Sequence, residues 1–444
     1  MSLATTPALL DRPLARETPG RLLAWVATGV VGMVFLLTEH SWTTSLADSY
    51  TSTEDQMEAA AGGGNMIRRL MFLTLGGLGL AALSVPAVRR YRGMTFASAL
   101  LGFFAFWCVA SVAWSIDPGM TVRRLFVLGC WMLGAVGLAR ILPGRDFLRM
   151  VVTIGLGMLA LGLLAEFSLG TFRPQADDYR FAGTQHPNTT ALSLSTLCLA
   201  AFCLWRSERR KLAPAILFGV AFTFLMLTKS RTSAAGVLVA LMFLWTLSTP
   251  THIKAGVGLV GMWAFGLATV LVLLSGWDVE EDVSRVALMG REEQSESLTG
   301  RIPIWTELGP YVGRRLFFGY GYDSFWVPDH IDRIYRELQW PIREAHSSYV
   351  DLALSVGVVA GGALLTALIL GMRRAAQLYL RHRRPEHGFA VGLQLYCFIN
   401  ALTESAMVMP LFIPFIAACA TSRVLLFDDC DNSADRLRTV PESR

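Results

Sequence analysis

Lysine is nearly missing from this chain: only Lys211, Lys229 and Lys254 among 39 basic residues are not arginine. Charge of either sign is scarce as well. Charged residues make up 16% of the 444 positions, whereas soluble domains carry roughly 25%. The formal net charge of +5 is modest, and no concentrated basic face stands out, which argues against a nucleic-acid binder. The seven cysteines do not form a framework. Cys108, Cys130, Cys198, Cys203, Cys397 and Cys419 lie in apolar runs and Cys430 in a polar tail, with no CxxC or Cys/His spacing of the zinc type. No repeat of fixed period is visible, nor a pair of broken hydrophobic segments in inverted order of the transporter kind.

Apolar sequence fills the space these absences leave. Hydrophobic residues are 53% of the chain, with a mean hydropathy of +0.46, the signature of a polytopic membrane protein. A bilayer span needs on the order of 20 mainly apolar residues. Such runs fall near 22–38, 68–87, 94–113, 122–139, 147–168, 189–205, 212–228, 232–248, 255–275, 347–372, 388–405 and 408–427. They predict an all-α integral membrane protein of about twelve transmembrane helices. The first run follows a polar stretch with Arg12, Arg16 and Arg21 and no small-residue cleavage site, and is expected to be an uncleaved span. The expected organisation is a first part of the bundle over 1–275 and a loop domain over 276–346. The last part of the bundle then covers 347–427, and a disordered polar tail 428–444.

Arginines mark alternate connections: Arg89, Arg90 and Arg92; Arg140 and Arg145; Arg206, Arg209, Arg210 and Lys211; Arg373, Arg374, Arg381, Arg383 and Arg384. The positive-inside rule places these, and with them both termini, in the cytoplasm. Arg68, Arg69, Arg123 and Arg124 fall on the wrong side, but they are the minority. The outer face then receives the acidic 39–65 loop, the Ser115–Met120 turn, the 170–188 loop, the Lys229–Arg231 turn and the 276–346 loop. That last loop is too long to be structureless. Its segments 301–316 and 328–339 have helical spacing, with Ile302, Trp305, Leu308 and Leu316 near one face. They predict a helical cap between the ninth and tenth spans.

Every chemically suggestive group falls on that outer side. Arg231 opens a span just after Lys229, where an arginine alone reads as an interface anchor. Arg301 lies four residues before Trp305, and His346 stands at a span entrance with Tyr349 on the next turn. Guanidinium suits phosphate oxygens through bidentate, charge-assisted hydrogen bonds. Histidine suits general-base work on a hydroxyl. Together these groups fit a diphosphate leaving group and a hydroxyl nucleophile, with no metal-ligand constellation. In the 170–188 loop, Arg180 and His186 are placed to contact the same anion, while Asn188-Thr189-Thr190 has the pattern of a helix cap. Gly319-Tyr-Gly-Tyr322 lacks the strand–turn–helix setting of a dinucleotide fingerprint. It reads as a tight turn whose Tyr320 and Tyr322 pack at the interface or stack on sugars.

In order along the chain stand Trp114-Ser-Ile-Asp-Pro118, Arg180-Phe-Ala-Gly-Thr-Gln-His-Pro-Asn188, Lys229-Ser-Arg-Thr-Ser233, Gly300-Arg301 with Trp305, Gly319-Tyr-Gly-Tyr-Asp-Ser-Phe325 and Ala345-His-Ser-Ser-Tyr349. This ordered set resembles the O-antigen ligase and polysaccharide polymerase superfamily of bacterial envelopes, over roughly 110–370. The resemblance implies a GT-C-like glycosyltransferase of the inner membrane. Its substrates would be a glycan on a polyprenyl (undecaprenyl) diphosphate carrier and an acceptor sugar hydroxyl at the periplasmic face. It implies inversion at the anomeric carbon without metal or cofactor. By position, Arg231 and Arg301 would hold the diphosphate, Arg180 and Lys229 would be secondary contacts, and His346 would deprotonate or orient the acceptor. Ser347 and Asp323 depart from the family pattern without removing a charged group. A polymerase of exopolysaccharide or O-antigen is the expected type, with a ligase to the lipid A core as the alternative. A transporter of lipid-linked sugar is the rival from another class. It would want midplane polar groups, for which Glu166, Asn400 and Glu404 are the candidates.

Overall fold

Each long apolar run satisfies its backbone polar groups internally by becoming a helix, which is what lipid demands. The computed structural model describes residues 18–40, 66–85, 89–176, 179–208, 210–250, 253, 301–339 and 342–429. Its helices are α1 (Thr18–Glu39), α2 (Met66–Ser84), α3 (Phe96–Ala110), α4 (Pro118–Ile141), α5 (Gly144–Leu169), α6 (Pro187–Ser207), α7 (Leu212–Leu227) and α8 (Arg231–Ser248). They continue with α9 (Arg301–Arg314), α10 (Pro328–Leu338), α11 (Ser348–His382), α12 (Pro385–Asn400) and α13 (Phe412–Leu426). Eleven of these, all but α9 and α10, stand where the sequence predicts spans. The predicted span at 255–275, most of the 39–65 loop, the 276–300 part of the long loop and the tail beyond 429 lie outside the described residues.

Eight of the described helices are long and apolar enough to cross a membrane, while α7 and α13 are apolar but shorter. The 16 residues of α7 or α12 reach about 24 Å at 1.5 Å per residue, less than the ~30 Å of a hydrocarbon core. Lipid gives no hydrophobic drive between helices, so close packing does the work. The α2–α4 seam shows this: a Cβ on Gly79 would collide with the backbone of Leu133 and Gly134, and one on Gly137 with that of Gly79.

Two predictions need correction. The span expected at 347–372 continues as helix to His382, so Arg373, Arg374 and Arg381 end a helix rather than sit in a loop. The run expected from 408 begins instead as a 3-10 turn, Ser405–Val408, and α13 starts only at Phe412, after Pro410. The described residues are all-α, as expected, apart from one short ribbon. Arg89–Tyr91 (β1) pairs antiparallel with Phe427–Asp429 (β2), and Asp428 receives Arg92 at 4.0 Å and Arg374 at 3.3 Å. This ribbon closes the arginine-rich end of the bundle. There Arg89 donates to the Ala139 carbonyl at 2.7 Å and Arg423 to that of Leu142 at 2.6 Å, compensating the carbonyl end of α4.

At the opposite end, α9 and α10 fold over their own core of Ile304, Leu308, Tyr311, Tyr320, Phe325, Ile331 and Ile334. The buried stripe of α9 is therefore 304, 308 and 311. Ile302, expected on that face, is 54% exposed, and Leu316 lies beyond the helix end. An i, i+4, i+7 row covers one side of a helix, and residue 302 points a half-turn away from it.

The turn Phe317–Tyr322 locks this unit to α11. At Gly357 the helix backbone is extended (φ 77, ψ 174), which breaks the local ladder. The freed groups find partners: Val358 N–H donates to Leu316 O at 2.8 Å, and Leu354 O accepts from Tyr320 N–H at 2.7 Å. The Trp107 indole donates to Val356 O at 3.0 Å. A Cβ at Gly357 would strike the Phe317 carbonyl, at a φ that L side chains avoid. Gly357→Ala should therefore cost about 2–3 kcal/mol or more, seen as a large drop in thermal midpoint in detergent. An unchanged midpoint would show that this break is not a structural requirement.

Candidate active site

The site is built from five separate connections that meet at one end of the bundle. The 170–188 loop is folded by Glu166 at the end of α5. Its Oε1 accepts from Ala182 and Gly183 N–H at 2.9 Å each, and its Oε2 from the Tyr179 hydroxyl at 2.5 Å. Glu166 thus shapes a loop and is not a lone polar group at the midplane. The loop presents Arg180, whose Nε donates to Thr228 O and whose Nη2 donates to Asn188 Oδ1, both at 2.9 Å.

The helix cap differs from the sequence expectation. His186 is the N-cap of α6, its Nδ1 accepting Asn188 N–H at 3.2 Å. The Asn188 side chain is left to do something else. Its Oδ1 accepts from Arg180, and its Nδ2 donates to Glu404 Oε1 at 2.9 Å. The same Oε1 accepts from Arg301 Nη2 at 3.0 Å, with only 17% of the Arg301 side chain and 14% of the Glu404 side chain exposed. One line of hydrogen bonds therefore runs Thr228–Arg180–Asn188–Glu404–Arg301.

Lys229 and Arg231 belong to the turn that borders this line. The turn is tied to Arg180 at Thr228 and to the Glu404 segment through Thr232, whose hydroxyl meets that of Thr403 at 3.1 Å. Lys229 takes the left-handed backbone (φ 52), and Ser230 precedes α8 as its N-cap, so Arg231 is the first helical residue.

His346 closes the group from the other side. It too is left-handed (φ 48), on a loop held by Trp305 Nε1 donating to Ala345 O at 2.9 Å. Ala345 N–H and Trp326 Nε1 both donate to Asp351. The His346 Nδ1 lies 3.2 Å from Glu344 Oε1. Burial first, then the positive fields of Arg301 and His186, push the His346 pKa down to about 4. Burial and the nearby Glu404 push Glu344 up to about 7, against Arg343 and Arg301. At neutral pH the contact is therefore a hydrogen bond between a neutral imidazole and a carboxyl group, not an ion pair. With Glu344 ionised, Nδ1–H donates to it and Nε2 is the unprotonated ring nitrogen.

The structure brings Arg180, His186, Arg301 and His346 into one electrostatic neighbourhood and sets the Lys229–Arg231 turn against it. The tyrosines go elsewhere. The Tyr320 hydroxyl donates to Tyr311 O at 3.0 Å inside the α9–α10 core. Tyr322 packs with Cys108, Leu352 and Val356, and the Tyr349 hydroxyl donates to Phe398 O at 2.9 Å. Asp323 in the same turn pairs with Arg124 at 2.8 Å, which gives one arginine from the wrong side of the charge rule a local partner.

Among the described residues no group of three or more His, Cys, Asp or Glu side chains is placed to hold a metal ion. The fold and site together define a polytopic membrane protein with a cationic, histidine-bearing site at one end of its helices. Residues 215–365 match the family model described as O-Antigen ligase. That segment, about a third of the 444 residues, supports a likeness to the O-antigen ligase and polymerase superfamily. The matched segment contains Lys229, Arg231, Arg301 and His346, whereas Arg180, His186 and Glu404 lie outside it. No curated protein matches the chain. The match supports a membrane function of the O-antigen ligase or polymerase type, in polysaccharide and lipopolysaccharide biosynthesis.

Proposed function

We propose that the protein is a GT-C-like glycosyltransferase of about twelve spans. It would move a glycan from undecaprenyl diphosphate to an acceptor sugar hydroxyl at the periplasmic face of the inner membrane, with both termini cytoplasmic. The observation that carries this reading is the convergence of Arg301, Arg180, the Lys229–Arg231 turn and a neutral His346 around one buried carboxylate. Arginine forks suit diphosphate oxygens, and Arg231 and Arg301 are assigned to them, with Arg180 and Lys229 as outer contacts. The acceptor hydroxyl gives its proton to His346 Nε2 as its oxygen bonds to the anomeric carbon. The bond from that carbon to the diphosphate oxygen breaks, and its electron pair leaves with the diphosphate. Attack from the opposite face inverts the configuration. In this scheme guanidinium groups supply the stabilising charge that other transferases take from a metal ion.

Donor binding also tunes the base. Two of the three causes that hold the His346 pKa down are burial and the Arg301 charge. A diphosphate on Arg301 cancels the second, so the imidazole becomes more basic when the donor is in place.

Elongation of a polysaccharide by its own repeat unit is the first reading of the acceptor. Ligation to the lipid A core is the second, and the description of the matched family favours it. Purified protein in nanodiscs, given an undecaprenyl-diphosphate-linked repeat unit, should form longer lipid-linked glycans if it is a polymerase. With lipid A core added, it should form a core-linked glycan if it is a ligase. Movement of intact donor across vesicles with no new glycosidic bond would refute both.

A further inference from the structure

Glu404 has no place in the reaction just described, yet it is the group on which the cationic site is strung. A site that collects guanidinium groups for a diphosphate has a problem when empty, because like charges in a partly dehydrated pocket repel. A single internal carboxylate relieves this. The Glu404 Oε1 accepts from Arg301 at 3.0 Å and from Asn188 at 2.9 Å, and Asn188 in turn accepts from Arg180.

The backbone that presents the carboxylate is fixed on three sides. Glu404 N–H donates to Asn400 O at 3.0 Å, Glu404 O accepts from the Ser348 hydroxyl at 2.6 Å, and the neighbouring Thr403 meets Thr232. This turn therefore joins α12, the first turn of α11 beside His346, and the start of α8 beside Arg231. The ionisable groups facing Glu404 are Arg301 at the start of α9, Arg180 in the 170–188 loop, Glu344 in the loop before α11 and Tyr396 on α12.

We propose that Glu404 is a positioning residue of this site: an internal counter-ion that holds Arg301 and, through Asn188, Arg180 in place, and yields Arg301 to the diphosphate when donor binds. The inference rests on the diphosphate reading of the site and deepens it. Burial raises the readiness of Glu404 to take a proton, against the pull of Arg301 and Arg180, which fits a carboxylate able to give up its partner. A salt bridge that served only to hold the fold would have no reason to compete with the ligand.

That difference sets the sign of the test. Glu404→Gln keeps the shape but removes the competing charge. It should bind farnesyl diphosphate, a short prenyl diphosphate, about tenfold tighter than the full-length wild type in nanodiscs. Its kcat should fall at least about tenfold, because Asn188 and, through it, Arg180 lose the charge that keeps them in place once Arg301 has moved to the diphosphate. Glu404→Asp keeps the charge but draws it back by one methylene. It should bind within about threefold of wild type while its kcat still falls, since side-chain placement at this scale governs rate. Glu404→Gln binding that is unchanged or weaker would overturn the proposal, because a purely structural role predicts it. Should the Gln variant not fold, Glu404→Asp decides alone, and wild-type kcat in it would overturn the positioning role. Arg301→Ala separates the two levels. If it binds farnesyl diphosphate as well as wild type does, the diphosphate site itself is wrong. If it loses binding while Glu404→Gln gains none, only the role of Glu404 fails.

Discussion

Arg301→Ala should lower kcat for glycan transfer by about 10²–10³-fold, the usual effect of deleting one preorganised donor to a developing negative charge. Two consequences travel together in this variant. The diphosphate loses a guanidinium as its bridging oxygen takes up the electron pair. At the same moment Glu404 loses its ion-pair partner at 3.0 Å. Leaving one member of a largely buried pair uncompensated costs about 3–5 kcal/mol, so the thermal midpoint should fall as well. The activity loss must therefore be read at a temperature where the variant is folded. Arg301→Lys separates the contributions. It keeps a positive charge for Glu404 and so recovers most of the stability, but a point-like ammonium cannot make the two-pronged contact with phosphate. It should remain well below wild type in kcat. An Arg301→Ala enzyme within threefold of wild type at saturating donor would remove Arg301 from the reaction.

The helices were legible because hydropathy is a local property, and the runs that became α1 to α8 and α11 to α13 each declare themselves in about 20 residues. What escaped was set by partners far along the chain. Glu404 falls within the apolar run 388–405 and reads as a stray midplane acid. Its role appears only when Arg301, 103 positions away, is folded against it. Asn188 has the pattern of a cap, and only the geometry shows His186 doing the capping and the Asn188 amide bridging two charged groups. The break at Gly357 looked like an ordinary glycine in a span, since one glycine in an apolar run carries no sign of its φ. Arg301 and His346 were nameable from sequence because a charge beside an apolar run is rare enough to notice. Glu344 carries no such mark in the sequence, because its weight comes from a 3.2 Å contact with His346, not from its type.

His346 is expected to carry the second large effect, with kcat falling about 10²–10⁴-fold when the base is removed. The replacement matters, because His346 sits at φ 48. Asn tolerates the left-handed region better than most residues, so His346→Asn isolates the loss of the imidazole from a backbone distortion. Farnesyl diphosphate binding should stay near wild type in this variant, since His346 is assigned to the acceptor rather than the donor. The pH profile then tests the pairing with Glu344. In the free enzyme His346, with its pKa pushed down to about 4, is already unprotonated across the neutral range and imposes no limb there. Glu344, pushed up to about 7, does. Above that pH it is ionised and accepts Nδ1–H, which leaves Nε2 as the base; below it the carboxyl holds its own proton and that support is lost. For the wild type, kcat/KM should therefore rise as pH increases through about 7. In the donor-saturated complex the added negative charge raises both groups, so the limb in kcat should lie at higher pH. Glu344→Gln cannot ionise, and its profile should lose the limb near 7 while the maximal rate drops. A Glu344→Gln profile that keeps the wild-type limb would separate Glu344 from the proton transfer and leave His346 to act without it.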